Sequence, residues 1–329
     1  MNLSKHLEQI VINIENTTDD IDQGLKDMIS YQIYETNQIK IENSYLDLNF
    51  KEIKNALNLV DGHINKSTYS KIITGLSALF LFKSGIIIHD EIGSGTPNSN
   101  GKDTLWWKWG PAQAINVGDS LYSLSRLLII NDKNIEENEI LNILNKFDKL
   151  NTNIFKSKFL ELQNSEQYKI NFDNIVSIYE LKEIEPYLYI SELFDNTNLI
   201  KSIFKIIGEI NLYEMHENAF KNLLSENLNY NFSKLENEIL NKKKILPIAY
   251  VFKEYENDIE HVKKLGTIYM KRMLENNDIK LLHELFYSNK ISKKYTNHIQ
   301  KLKTKLEKLI SQNKKTNNNL SINVQSLLK

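Results

Sequence analysis

Between Ile72 and Ile88 the chain is apolar almost without interruption, and it then stops abruptly at His89-Asp90-Glu91. This run constrains the fold more than any other feature. With Lys83 inside it, it falls short of the ~20 apolar residues that a membrane-spanning helix needs. The reading is therefore a helix buried on all sides, carrying acidic residues at its C-terminal end. The run opens into a different kind of sequence. The segment His89–Leu121 holds Trp106, Trp107 and Trp109, the prolines Pro97 and Pro111, and most of the glycines between Gly85 and Gly118. A glycine- and proline-rich loop behind a rigid helix is where a functional site is expected.

The rest of the chain shows helical periodicity. Ile135–Phe147 places Ile140, Leu141, Leu144 and Phe147 at spacings near 3.6. Ile239–Phe252, Val262–Met273, Lys280–Tyr287 and Ile299–Ile310 repeat the pattern. Alternating β-branched and aromatic runs bounded by turns are not found, so essentially no sheet is expected. No linker or repeat divides the body. The expectation is a single all-α bundle over residues 1–310, with a low-complexity, mobile tail over 311–329.

Composition excludes some functions. The formal net charge is −1, which supplies no global field for nucleic acid or an acidic membrane. There is no cysteine, and so no disulfide framework or thiolate chemistry. MNLSKHLEQIVINIENTTDD lacks the apolar core of a signal peptide. Together these lead to the expectation of a cytoplasmic protein without a membrane span.

The loop segment resembles the first aspartate-rich region of the trans-isoprenyl diphosphate synthases, the polyprenyl synthetase family. Its pattern is H-D-D-I-x-D-G-x-x-x-R-R-G-x-P-T-x-W-x-x-x-G-x-x-x-A-I-N-x-G-D-x-L. On it fall His89, Asp90, Ile92, Gly95, Gly101, Thr104, Trp106, Gly110, Ala114, Ile115, Asn116, Gly118, Asp119 and Leu121, without a gap. Further along, Lys242–Tyr250 (KKKILPIAY) resembles G/K-K-x-T/S-L-P-x-x-Y. Glu161-Leu162-Gln163 with Glu166 resembles E-G-Q-x-x-D, and Lys182 stands at the lysine of the family's K-T. The order and spacing agree over about Phe82 to Phe252.

The resemblance implies a large helical bundle and a prenyl diphosphate substrate. It also implies Mg²⁺ ions held between two aspartate-rich motifs, which neutralise the departing diphosphate. By position, Asp90 and Glu91 are the implied metal carboxylates, and Gln163, Lys182 and Lys243 the implied diphosphate-binding groups. Carboxylates at i and i+4 share one helix face, which explains the family's D-D-x-x-D spacing.

The departures matter as much. The third acidic position is Ser94, and the arginine pair that grips isopentenyl diphosphate is Ser99-Asn100. The upstream G-K-R-x-R-P is not found near Asp47–Lys54. Met215 and His216 stand where the second motif's paired aspartates belong, and His216 has no partner at ligand spacing. Asn218, Asn222 and Glu226 do share the i, i+4, i+8 spacing of the metal triad in class I terpene cyclases, although about three residues late.

For the other polar groups an ordinary structural role stands beside the functional one. Asn116 and Asp119 suit the helix start after the loop, with Asp119 near an N-terminal turn. The three tryptophans either line a pocket for a hydrocarbon or cation, or pack the loop onto the bundle. Lys83 either points into a hydrocarbon tunnel or is paired.

Three functions follow. One is a prenyltransferase-like protein that binds a prenyl diphosphate with Mg²⁺ and does not use isopentenyl diphosphate as acceptor. Another is an inactive partner subunit, in a homodimer or paired with an intact synthase. The third is a terpene cyclase.

Overall fold

The computed structural model describes residues 3–36, 39–42, 45–48, 50–60, 65–99, 101–165, 167, 170–194, 198–222, 239–288 and 291–313. It is all-α. In chain order the helices are α1 (Leu3–Thr17), α2 (Gln23–Ser30), α3 (Lys51–Leu57), α4 (Lys66–Ser94), α5 (Leu105–Trp109), α6 (Pro111–Ile130) and α7 (Glu137–Ser165). There follow α8 (Phe172–Tyr179), α9 (Glu185–Leu193), α10 (Asn198–Asn222), α11 (Leu246–Glu254), α12 (Ile259–Met270), α13 (Asn276–Tyr287) and α14 (Ile291–Asn313). Wider π-helical turns continue α2 over Tyr31–Glu35 and join α8 to α9 over Glu180–Ile184.

The expected scarcity of sheet holds, with two small hairpins as exceptions. Strands β1 (Ile39–Glu42) and β2 (Tyr45–Leu48) pair antiparallel, Ile39 opposite Leu48 and Glu42 opposite Tyr45. Strands β3 (Asn98–Ser99) and β4 (Lys102–Asp103) pair within the loop after α4.

Contacts divide the chain into two compact units. Unit 1 comprises residues 1–149, 189–201 and 313–329, and unit 2 comprises 150–188 and 202–312. The expected tail falls largely outside the described residues, since α14 ends at Asn313.

Unit 1 is built on α4. Asn65 caps its start, its side chain accepting from Thr68 N at 2.8 Å. The helix is long and apolar enough to cross a membrane, but 78% of its most apolar window is buried inside the protein. Leu76, Leu79, Phe80, Leu81 and Phe82 are buried around its whole circumference, as an all-round apolar helix requires. Its main neighbour is α6, and glycines let the two come close. A Cβ on Gly85 would stand 2.8 Å from the carbonyl oxygen of Gly118. Lys83 is resolved as paired: its ammonium bonds the buried Glu52 of α3 and lies 5.2 Å from the Phe50 ring centroid.

Within α7 the inward stripe differs from the expected one. Ile143, Phe147, Leu150 and Ile154 are buried, whereas Leu141 is 69% exposed. Both stripes have helical spacing, so periodicity alone could not choose between them.

In unit 2, Ile178, Leu212, Leu246, Leu265, Leu282, Phe286 and Tyr295 from α8 and α10–α14 meet in one core. Tyr213 packs tilted and Tyr250 edge-on against Tyr295, at ring distances of 5.5 Å each.

Candidate functional site

Several polar side chains of unit 1 lie where α4 ends. Asp90 is half-buried, while Glu91 is 4% exposed. Successive helical residues differ by about 100° around the axis, so the two carboxylates leave the helix in different directions. The residue that shares Asp90's face is Ser94. Its hydroxyl donates to Asp90 O at 2.7 Å and bonds Thr96 Oγ1 at 2.7 Å, while Gly95 turns left-handed at φ 63° to end the helix. Ser94 therefore finishes a helix where the family places a carboxylate.

The loop beyond is tied back by its aromatic residues. Trp106 Nε1 donates to Thr96 O at 2.8 Å, and Thr104 Oγ1 donates to the same oxygen at 3.0 Å. Trp109 meets Tyr31 edge-on at 4.8 Å. The Lys108 ammonium lies 3.9 Å from the Tyr31 ring and 4.4 Å from that of Trp109, so a cation of the chain itself fills this aromatic slot. Packing of the loop accounts for Trp106 and Trp109; Trp107 is exposed.

The expected helix start at Asn116 and Asp119 is corrected. Helix α6 begins at Pro111, behind Gly110 at φ 86°, a backbone state that favours glycine. Proline is well suited to a first helical position because its missing N–H would have no helical partner there. Asp119 consequently sits in mid-helix, with Oδ1 3.6 Å from His89 Nε2. Both Asn116 and Asp119 line an open groove between α6 and α2. Upstream, the Asp47–Lys54 stretch contributes structural pairs: Lys54 Nζ lies 3.1 Å from Asp47 Oδ1.

In unit 2, Lys182 and Glu161 come together, Nζ to Oε1, at 3.2 Å. Lys182 sits on the π turn between α8 and α9, and Glu161 is buried. Glu161 also lines a small cavity with Asn164, Tyr179, Lys243 and Lys244. Gln163 is exposed, because it leaves α7 about 200° around the helix from Glu161.

Of the lysine run, the residue that reaches inward is Lys244. Lys242 takes a left-handed turn at φ 63°, and Lys244 then donates to the main-chain oxygens of Asn164 and of Ser165, the latter at 2.9 Å. These are terminal carbonyls of α7, where a cation is favoured. Burial, reinforced by the charge of Lys242, brings the Lys244 ammonium down to about 8. Sequence reasoning named Lys243 and missed Lys244, because three adjacent lysines give no sign of which one the turn directs inward.

Asn218 is exposed on α10. The Asn222 side chain and Glu226 lie outside the described residues, so the i, i+4, i+8 triad is not on view. His216 is buried with its ring 4.4 Å from that of Tyr179, and Met215 faces solvent. Of the two positions of the second aspartate pair, one is thus given over to core packing and the other to the surface.

These donors fit a limited metal role. Mg²⁺ is commonly held by one or two carboxylates together with substrate phosphates, and Asp90 can supply one such ligand. Among the described residues no three His, Asp or Glu side chains gather to hold a metal. The multi-ion cluster implied by the resemblance therefore lacks its donors there.

No family model and no curated protein matches the chain. Solved structures do. The heptaprenyl diphosphate synthase of Staphylococcus aureus is similar with a TM-score of 0.75 at 14% identity, covering 100% of this chain and 98% of that one. The octaprenyl pyrophosphate synthase of Helicobacter pylori gives 0.71 at 16% identity, covering 99% of each. A polyprenyl synthase of Caulobacter crescentus, complexed with calcium and isoprenyl diphosphate, gives 0.67 at 13% identity over 98% of this chain and 95% of its own. At such identities the likeness establishes architecture. The chain has the all-α fold of the isoprenyl diphosphate synthases, and that fold extends over nearly its whole length.

Proposed function

We propose that this protein is a diverged, prenyltransferase-like binder of a prenyl diphosphate. It would hold the diphosphate with Mg²⁺ at Asp90, beside Glu91, and pass the prenyl group to an acceptor other than isopentenyl diphosphate, such as a peptide, a glycolipid or a small molecule. The observation that carries this reading is the half-buried Asp90 carboxylate, kept at the end of α4 while the arginine pair has become Ser99-Asn100. The metal, when bound, supplies charge neutralisation to the leaving diphosphate. In unit 2 the candidate donors are Lys182, which would exchange Glu161 for a phosphate oxygen, and Lys243, with Gln163 as a further polar group. Calorimetry with geranyl and farnesyl diphosphate tests the reading. Binding should require Mg²⁺ and weaken in Asp90→Ala, and no binding of any C10–C20 diphosphate would sink it.

A second reading, a partner subunit, is favoured by a different observation. In unit 2, α7 exposes Phe155, Phe159 and Leu162 by 45%, 65% and 65%. The spacing i, i+4, i+7 puts them on one face. Such a stripe suits a helix-to-helix interface with a second chain, either another copy or an intact synthase. Light scattering gives the oligomeric state, and co-purification with a synthase whose product length then changes would support the heteromeric form. The terpene cyclase reading rests on Asn218, Asn222 and Glu226. Gas chromatography of an incubation with Mg²⁺ and a prenyl diphosphate decides it by the presence or absence of a cyclic hydrocarbon.

A further inference from the structure

Helix α12 in unit 2 is apolar on two sides, about 120° apart around its axis. Its inner side gives Leu265, Ile268 and Tyr269 to the core. Asp258 fixes its start by accepting from Glu260 N and His261 N, and the His261 ring stacks on Tyr255 at 4.0 Å. Its outer side carries Ile259, Val262 and Met270, and Met273 follows just beyond the helix end; they are exposed by 74%, 41%, 74% and 69%. Gly266 lies on the same side, and a Cβ there would meet nothing within 4 Å.

Charge is segregated around this ridge. Lys263 lies among the outward apolar residues, and Arg272 follows the helix end. Neither makes an ion pair among the described residues. Glu260 is turned aside and neutralised by Lys264 at 2.7 Å, and Asp278 is held by Lys271 at 2.8 Å. Among the described residues, the outward side therefore presents apolar groups with two cations outside any ion pair, while the exposed Glu275 near Met273 shares Lys271 at 3.8 Å, in a chain whose formal net charge is −1.

We propose that the outer ridge of α12 docks this protein onto an anionic lipid bilayer, with Ile259, Val262, Met270 and Met273 entering the headgroup layer and Lys263 and Arg272 facing the lipid phosphates. An interfacial helix needs this combination of an apolar face and cationic flanks. Extent also favours a bilayer over a protein partner: a stable protein interface calls for roughly 800 Å² of complementary surface on each side, whereas this stripe is four side chains on one short helix and its end. The proposal is independent of the diphosphate reading.

Vesicle flotation of the full chain tests it. Phosphatidylcholine vesicles containing phosphatidylglycerol should carry the protein upward, and pure phosphatidylcholine vesicles should do so at least roughly tenfold less well. Added salt should release it. Ile259→Glu with Met270→Glu should abolish flotation while the circular dichroism melt stays unchanged, since both side chains are exposed. Lys263→Glu with Arg272→Glu provides the independent electrostatic check and should reduce binding to anionic vesicles about tenfold. No flotation on either vesicle, or flotation indifferent to both pairs of substitutions, overturns the proposal. A change of solution mass in Ile259→Glu with Met270→Glu, measured by light scattering, assigns the ridge to contact between copies and overturns it equally.

Discussion

The imidazole of His89 packs against Gly118, at a distance where a Cβ on Gly118 would stand 2.3 Å from Nε2. Alanine at this position gains about 1 kcal/mol in helix propensity, yet it overpacks the seam between α4 and α6 at a cost of about 1–3 kcal/mol. Gly118→Ala is therefore expected to lower stability in urea unfolding, and adding His89→Ala should restore most of the loss. A Gly118→Ala protein as stable as the parent would contradict the packing argument.

Lys244 connects a helix end to solution pH. Its folded-state ammonium titrates at about 8, below the ordinary 10.5 of an exposed lysine. Below about 8 both states carry the proton, and the folded state bears the full burden of a buried charge. Between 8 and 10.5 the unfolded chain holds more protons, so this lysine's contribution to stability must grow as pH rises. Lys244→Met should cost about 1–3 kcal/mol near neutrality by leaving the α7 carbonyls without a donor. The gap to the parent should then widen towards pH 10, as read by urea titrations of the two proteins side by side.

Glu161 is the more buried member of its pair with Lys182, with side-chain exposures of 7% and 16%. Removing only the cation takes a charged partner from a buried carboxylate, so Lys182→Met should cost about 3 kcal/mol. The double substitution Lys182→Met with Glu161→Leu should recover most of it. A thermodynamic cycle showing additive effects would mean that the two groups do not act together.

Ser94 occupies the position of a lost metal ligand. Ser94→Asp would place a second carboxylate at i+4 from Asp90, on the same helix face. If Asp90 holds Mg²⁺ with a prenyl diphosphate, Mg²⁺-dependent affinity for geranyl diphosphate should rise roughly tenfold, equivalent to about 1.4 kcal/mol. The substitution also removes the Ser94–Asp90 main-chain bond at a cost near 1 kcal/mol. The melt and the affinity are thus expected to move in opposite directions.

The parts of this fold visible in the sequence are those where a single pattern had a single structural solution. The Ile72–Ile88 run, broken by Lys83 and ending in acids, read as a core helix, and the Gly/Pro punctuation around Trp106 read as a loop. The failures come where two solutions shared one pattern. Leu141 and Ile143 both lie on helical stripes of α7, and only the tertiary neighbours decide which stripe turns inward. Lys243 and Lys244 are indistinguishable until the left-handed turn at Lys242 aims one of them at the end of α7. The β1–β2 hairpin went unread because its strands are four residues each. The available signal was the apolar alternation of Ile39 and Ile41, four residues ahead of Tyr45. At the candidate site, the motif named carboxylate and lysine positions but carried nothing about the directions of their side chains. Glu91 points inward and Lys182 is engaged by Glu161, and both facts follow from packing.

The all-round apolarity of α4 has a consequence for biosynthesis. Its close-packed partner α6 finishes at Ile130, so the ribosome must add the residues from Gly95 to Ile130 before α4 can be covered. At translation speeds of about 5–20 residues per second, this leaves roughly 2–7 s in which the greasiest segment of the nascent polypeptide is unshielded. Chaperone capture during that interval, rather than the stability of the finished molecule, would then set how much protein a cell can accumulate.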